Sequence, residues 1–245
     1  MRPPAALLRA ARALTPLVGV LQRRCLGCGH ATDAPLCAAC AEELAPRLGG
    51  YCPTCGQVFA AEDEPAHTCS HCLADPPPWE RMHFFGVYGG ELREHIIAYK
   101  YGRGLTADRL LGSLAARAWR GAEDDPAPDV VTPVPLHPSR LRWRGFNQSL
   151  ELARPVAGRL GARLAPGALV RVRRTVPQSE LARGLRRENI RGAFAAVPAL
   201  VAGRRVLLVD DVATTCATVD ECARTLIHAG AAAVEVLVLA RTMDG

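Results

Sequence analysis

Lysine is almost absent from this chain of 245 residues: 30 side chains are basic, and every one is Arg except Lys100. Ala, Gly and Pro are abundant beside Arg, a compositional bias that makes total Arg content a poor guide to partners. The same bias leaves two readings of Lys100: a chance survivor, or a place where a compact ammonium serves and a planar guanidinium does not. Long apolar runs are missing too. No stretch reaches the roughly 18–20 residues that a membrane-spanning helix needs. The N-terminal segment has Leu7, Leu8, Ala11 and Leu14 at helical spacing, but Arg9, Arg12 and Pro16 break it and no convincing small-residue cleavage site precedes Cys25. Residues 1–24 therefore read as a short amphipathic helix on the body of a cytoplasmic protein. No GxxxxGK[ST] occurs, which excludes a P-loop protein, and no GxGxxG follows an expected strand, which leaves a dinucleotide fold unsupported.

Cysteine, by contrast, is concentrated. Eight of the ten cysteines form four CxxC pairs between residues 25 and 72: Cys25/Cys28, Cys37/Cys40, Cys52/Cys55 and Cys69/Cys72. Two thiolates held two residues apart in a tight turn point at one centre, and two such turns complete the tetrahedral sulfur set that Zn²⁺ prefers. A disulfide scaffold would need a secretory signal, which is not there. Four pairs so close together predict two structural zinc sites, closed to substrate, whose metals supply much of the folding energy of a segment poor in large apolar residues. Sequential pairing keeps each loop short and is preferred, with interleaved pairing left open. His30, His67 and His71 lie beside the knuckles as spare ligands that eight cysteines make unnecessary.

The segment 25–78 ends at "DPPP", and the texture changes over 79–245. Strands are expected at "MHFFGVY", "DVVTPVP", "LVRVRR", "RRVLLVDD" and "AAVEVLVLAR", and helices at "ELREHIIAYKYG", "LTADRLLGSLAARAWRG", "NQSLELARPVAGRL" and "TVDECARTLIHAG". Pro155 should kink its helix or shift the start. Strands alternating with amphipathic helices give an α/β fold, a mostly parallel sheet flanked by helices. In such a sheet ligands bind at the carboxyl ends of strands. "VLLVDDVATTCAT" is such an end: Asp210 and Asp211 close the strand, and Thr214, Thr215 and Thr218 lead into a helix N-terminus, an anion cradle. Carboxylates repel phosphate, so the acidic pair must hold another part of the ligand, a vicinal diol or waters on Mg²⁺. Phosphate beside diol describes a phosphosugar. A two-component receiver, which also opens on an acidic pair, needs about 100 further residues, and 34 follow Asp211.

Apolar residues, two acids, Thr-Thr and a further Thr before a helix resemble the ligand signature of type I phosphoribosyltransferases. "VPLHPSRLRWRGFNQSLELA", "TVPQSELARGLRRENIRGAF" and the cysteine knuckles narrow the resemblance to ComF-like competence proteins, with a double zinc ribbon ahead of a phosphoribosyltransferase-like domain. The resemblance implies 5-phosphoribosyl 1-diphosphate (PRPP) with Mg²⁺ as ligand. By carry-over Asp210 and Asp211 bind the ribose hydroxyls with Mg²⁺ nearby, and the run Val212, Ala213, Thr214, Thr215, Cys216, Ala217 and Thr218 forms the 5′-phosphate loop. Arg144, Asn147 and Gln148 stand beside the diphosphate, the "PQSE…RREN" segment with Gln178 resembles a mobile loop that closes over the site, and Lys100 joins Asp210, Asp211 and Arg144 in the catalytic set. The family has Gly where this chain has Cys216, which is expected to fit with negative φ.

From Leu136 to Arg191 there are 13 Arg against 3 Glu, with no Lys and no Asp. Such a stretch suits a departing diphosphate and also the backbone of single-stranded DNA, with Trp143 or Phe146 as a stacking platform. No general base stands out. Two functions remain open: phosphoribosyl transfer with pyrophosphate release, linked to DNA uptake and its processing proteins, or a non-catalytic module that senses PRPP or grips single-stranded DNA. The acceptor and the oligomeric state are not written in the residues.

Overall fold

The structure, a computed structural model, describes residues 23–102, 105–121, 125–176 and 184–243. The expected N-terminal helix (1–22) and Gln178 lie outside the described residues. The chain divides into two compact units, Met1–Leu44 and Ala45–Gly245. That boundary differs from the compositional one at residue 78, because the second cysteine knuckle packs into the larger unit.

The two knuckles repeat one local design. Cys25 N–H donates to His30 O and Gly29 N–H to Cys25 O. In the second copy Cys52 N–H donates to Gln57 O and Gly56 N–H to Cys52 O. Gly29 and Gly56 follow the second cysteine of their turns with φ of 77° and 70°, a left-handed geometry that a side chain resists. The later pairs open short helices, α1 (Ala38–Glu43) capped by Cys37 and α2 (Ser70–Ala74) capped by Cys69.

The larger unit is built on five parallel strands: β1 (Met82–Val87), β2 (Val130–Pro133), β3 (Arg163–Leu164), β6 (Arg205–Ala213) and β7 (Ala233–Arg241). Their order is β1-β7-β6-β2-β3, all pairs parallel. The expected strand at 169–174 shortens to β4 (Leu169–Arg171) and leaves this sheet, pairing antiparallel with β5 (Phe194–Ala196). Val206 to Val209 and Val236 to Ala240 are buried without alternation, as central parallel strands covered on both faces must be.

Helices α3 (Gly90–Tyr101) and α4 (Leu105–Ala118) join β1 to β2, α5 (Pro138–Arg144) and α6 (Gln148–Leu160) join β2 to β3, and α9 (Ala217–His228) joins β6 to β7. The segment ahead of β6 adds α7 (Leu185–Ile190), in a stretch read as loop, and α8 (Pro198–Val201). Helices α4 and α6 pack on each other and on the sheet, while α9, α7 and β5 form a second group against it. Helix α6 begins where expected and runs through Pro155. A Cβ at Gly112 of α4 would lie 2.9 Å from Pro155 Cγ, so a glycine makes room for the ring where the two helices meet.

From β2 the chain goes outward to β3 and from β6 outward to β7, so the direction of winding reverses between these neighbours. A parallel sheet opens its binding crevice at such a point, and both loops that carry the expected ligand residues start here.

Candidate functional site

Asp210 and Asp211 stand near the end of β6, where the buried run from Val206 to Val209 gives way to half-buried residues. The Ser149 hydroxyl, from the first turn of α6, donates to Asp210 Oδ1 at 2.8 Å, and Asp211 N–H donates to the same oxygen at 2.9 Å. Lys100 Nζ, at the end of α3, lies 2.9 Å from Asp211 Oδ2, and Val212 N–H caps Asp211 Oδ1 at 2.7 Å. Burial, then the charge of Asp211, push the Asp210 carboxyl up to about 7 against the pull of Asp211 N–H, Ser149 and Lys100. Burial draws the Lys100 ammonium down, but the charges of Asp211 and Asp210 outweigh it and raise the pKa overall. Two adjacent carboxylates that share one ammonium retain acceptor capacity for hydroxyl donors or for water on a divalent cation. Their mutual repulsion is what a cation would relieve, so the donor set fits Mg²⁺.

The loop that follows turns from β6 into α9. Ala213 and Ala217 are buried, so they contribute only main chain, while Thr214, Thr215 and Thr218 are half-buried. Cys216 has φ 59° and ψ 2°, and among the described residues it is the one non-glycine with positive φ. The expected negative φ is therefore corrected. Asp220 N–H donates to Cys216 O at 2.8 Å, closing the first turn of α9 on a residue that must already be left-handed. The conformation costs a side-chain-bearing residue about 1–2 kcal/mol, which a glycine would avoid.

Opposite stands the loop from β2. Val134 N–H donates to Val209 O at 2.8 Å, tying it to the neighbouring strand. Asn147 caps α6 by accepting from Ser149 N–H and donates its own amide to Val134 O, so its side chain shapes the loop. Arg144 donates to Gln148 Oε1 at 3.0 Å. Gln148 is 2% exposed, and its Nε2 and Arg144 Nε are buried donors with no partner among the described residues, the usual mark of a place that a ligand or water completes. Trp143 is 73% exposed, whereas Phe146 is 7% exposed and stacks edge-on against Tyr99 at 5.3 Å. Phe146 is therefore core, and the stacking platform reduces to Trp143.

Ser149 and Arg241 escape the sequence reading, while Arg186 falls in the segment read as the covering loop. Ser149 was hidden in a helix, although serine one turn from a cap beside an expected acidic site was a usable signal. Arg186 of α7 donates to Thr214 Oγ1 at 3.2 Å, and Arg241, 3% exposed at the end of β7, donates to the carbonyls of Ala213 and Thr214. Nothing in the local sequence distinguishes Arg241 from other arginines.

The metal sets are also complete. Cys25, Cys28, Cys37 and Cys40 form one cluster and Cys52, Cys55, Cys69 and Cys72 the other, with the sulfurs of each within 4.8 Å of one another. Pairing is sequential. Cys37 N–H and Cys69 N–H point at Cys25 Sγ and Cys52 Sγ, the donors that stabilise a metal thiolate. Four thiolates within 4.8 Å of one another repel, so four ionised sulfurs in either cluster require a cation. All ten cysteines are free of disulfides, and both sets fit Zn²⁺. His30 Nδ1 lies 3.1 Å from Cys28 Sγ, and His67 stacks on Phe59; neither replaces a thiolate.

Residues 17–77 match a family model described as a double zinc ribbon domain, and residues 147–245 match one described as a phosphoribosyl transferase domain. A DNA utilization protein, YhgH, of Salmonella typhi is 37% identical over 215 residues, 85% of this chain and 91% of its own length. The protein of that name in Escherichia coli K12 is 37% identical over 78% of this chain and 84% of its own. Competence protein F of Haemophilus influenzae is 31% identical over 89% and 96%. A solved structure described as the allosteric regulatory enzyme of purine biosynthesis overlays with a TM-score of 0.38 at 24% identity, covering 58% of this chain and 30% of that one. Among the described residues no helix is long and apolar enough to cross a membrane.

Proposed function

The chain belongs to the ComF family, and on that premise we propose that it binds Mg²⁺–PRPP at the crevice between β6 and β2 and transfers the phosphoribosyl group with release of pyrophosphate. One observation carries the reading: an acidic pair held by Lys100 and Ser149 leads directly into a threonine-lined loop at the N-terminus of α9, at the point where the winding of the sheet reverses.

The roles follow from chemistry. Asp210 and Asp211 accept from the ribose hydroxyls and fix the ring. The main chain from Val212 to Thr218, with the hydroxyls of Thr214, Thr215 and Thr218, receives the 5′-phosphate. Arg144 and Gln148 face the diphosphate with the donors they have left over. Asp210 and Asp211 would hold Mg²⁺ through their carboxylates or its waters, and the bound cation would supply charge neutralisation to the diphosphate. The C1′–O bond breaks with its electron pair leaving on the diphosphate, the acceptor's lone pair closes on C1′, and the acceptor's proton passes to solvent. Fixed position and fixed positive charge do most of this work, since the developing ring cation needs no base. The names of the relatives, a DNA utilization protein and a competence protein, support a role linked to DNA uptake, and we place that role in the cytoplasm.

Calorimetry with Mg²⁺–PRPP tests the site. Micromolar binding is expected from the intact zinc-loaded protein, weakened at least tenfold in Asp210→Asn/Asp211→Asn. A folded, zinc-loaded wild type that takes up no PRPP would remove the reading. A second reading rests on Trp143, exposed on a helix that also bears Arg140, Arg142 and Arg144: the protein grips single-stranded DNA there. Base stacking contributes about 1–3 kcal/mol, so Trp143→Ala should weaken oligonucleotide binding roughly tenfold, read by fluorescence anisotropy. Equal binding by the variant would dismiss that surface.

A further inference from the structure

The second zinc knuckle and the threonine loop share a guanidinium. Arg241 Nε donates to Cys55 O at 3.4 Å, while its Nη1 donates to Ala213 O at 3.3 Å and to Thr214 O. Thr242 N–H adds a bond to Ala213 O at 3.1 Å. Cys55 is a ligand of the second sulfur cluster, and Ala213 and Thr214 open the loop assigned to the phosphate. One buried side chain thus spans from the metal turn to the ligand loop.

The turn itself is clasped along its length. Pro53 O accepts from Met82 N–H at 2.9 Å and Thr54 O from the Trp79 indole at 2.7 Å, so three consecutive carbonyls, from Pro53 to Cys55, are each taken by the sheet unit. A Cβ on Gly56 would lie 2.7 Å from Met82 Sδ and 3.5 Å from Arg241 Cδ, which shows how closely the turn sits against both. What aims these carbonyls is the closure of the CPTC turn, and the metal held by Cys52 and Cys55 enforces that closure.

The other end of Arg241 has a directional effect. A trans peptide is planar, with its C=O and N–H pointing opposite ways. Gripping the Ala213 and Thr214 carbonyls therefore turns the N–H groups of Thr214 and Thr215 away from Arg241, as an anion-binding loop requires. We infer that Arg241 is a positioning residue that makes the shape of the phosphate loop conditional on zinc in the second knuckle. An empty knuckle lets Cys55 O swing free, Arg241 follows, and the loop loses the bond that orients its first two amides.

The coupling itself needs no ligand; only its consequence for affinity rests on the PRPP reading. Peptide-resolved hydrogen exchange on the full chain, zinc-loaded and then chelated under conditions where circular dichroism shows the fold retained, tests the coupling. Chelation is expected to speed exchange in residues 213–219 about fivefold or more, the usual scale of site-to-site coupling, with residues 206–209 of β6 unchanged. Arg241→Lys retains a buried cation but cannot reach both carbonyl groups. It should exchange fast at 213–219 with zinc bound, and chelation should add nothing. A loop indifferent to zinc in the wild type, a rise spread evenly through β6, or a lysine variant that keeps the zinc effect would each overturn the inference. Reciprocity supplies a second readout, because PRPP should slow alkylation of Cys55 in the wild type and not in Arg241→Lys. Exchange coupling without that slowing would uphold Arg241 as the link and count against PRPP as the ligand.

Discussion

Cys52→Ser, which removes one thiolate of the second knuckle, will lower the thermal midpoint of the unit from Ala45 to Gly245 by on the order of 10 °C. The knuckle has little interior of its own: Cys52, Cys69 and Cys72 form it, with Cys55 and Phe59 against it. A structural zinc contributes about 10–16 kcal/mol, or roughly 3–4 per ligand when shared among four. A chain of this size moves about 2–4 °C per kcal/mol. The loss does not stay local, since Val58 of the knuckle belongs to the same core cluster as Trp79, Met82, Val206 and Val236. Removing the closure of the turn also leaves the carbonyls of Pro53, Thr54 and Cys55 without direction toward their donors. Thermal melts of wild type and variant, each with zinc counted, decide the matter: a midpoint within about 2 °C of wild type in a protein that has lost one zinc would show that the knuckle is an appendage.

The knuckles were legible because metal chemistry is local: spacing within a few residues dictates which sulfurs converge, and the short loops of sequential pairing win. The parallel sheet was legible for a similar reason, since uninterrupted apolar runs such as Val206–Val209 belong only in strands covered on both faces. Long-range pairing is where the reading failed. "LVRVRR" has strand character, but its partner is Phe194–Ala196, beyond a polar segment that gave no sign of returning. Phe146 and Trp143 are three residues apart and chemically alike, yet Tyr99, some 47 positions earlier, draws one ring into the core and leaves the other in solvent. Asp210 and Asp211 stood out at once because a strand end is a costly place for carboxylates, whereas Ser149 and Arg241 reach them and their loop only through tertiary contact. Cys216 shows the opposite limit. The departure from glycine was visible, but the positive φ is set by how the strand meets the helix, which no residue type announces.

The cost of that acidic pair leads to the second large effect: Asp210→Asn will be more stable than wild type at pH 8 by on the order of 2–4 kcal/mol. The folded Asp210 carboxyl is pushed up to about 7 from an ordinary value near 3.8, by burial first and the charge of Asp211 second. The folded state therefore holds this proton more tightly than the unfolded chain. Its contribution to stability is fully present below about pH 4, declines as pH rises, and is lost once pH passes through about 7. Three pH units at about 1.4 kcal/mol each set the upper end of the estimate. The hydrogen bonds from Ser149 and Asp211 N–H are already inside that balance, so they do not cancel it. Asparagine keeps the shape and an acceptor oxygen while removing the buried charge and its repulsion of Asp211. Melting wild type and Asp210→Asn from pH 4 to pH 8 should show two curves that diverge with rising pH, the variant above. Curves that run parallel, or a variant that melts lower at pH 8, would mean that Lys100 and Ser149 already neutralise the site. The predicted divergence is what the proposed binding crevice requires: a charge costly to the fold alone would be relieved by the hydroxyls and cation of the proposed ligand.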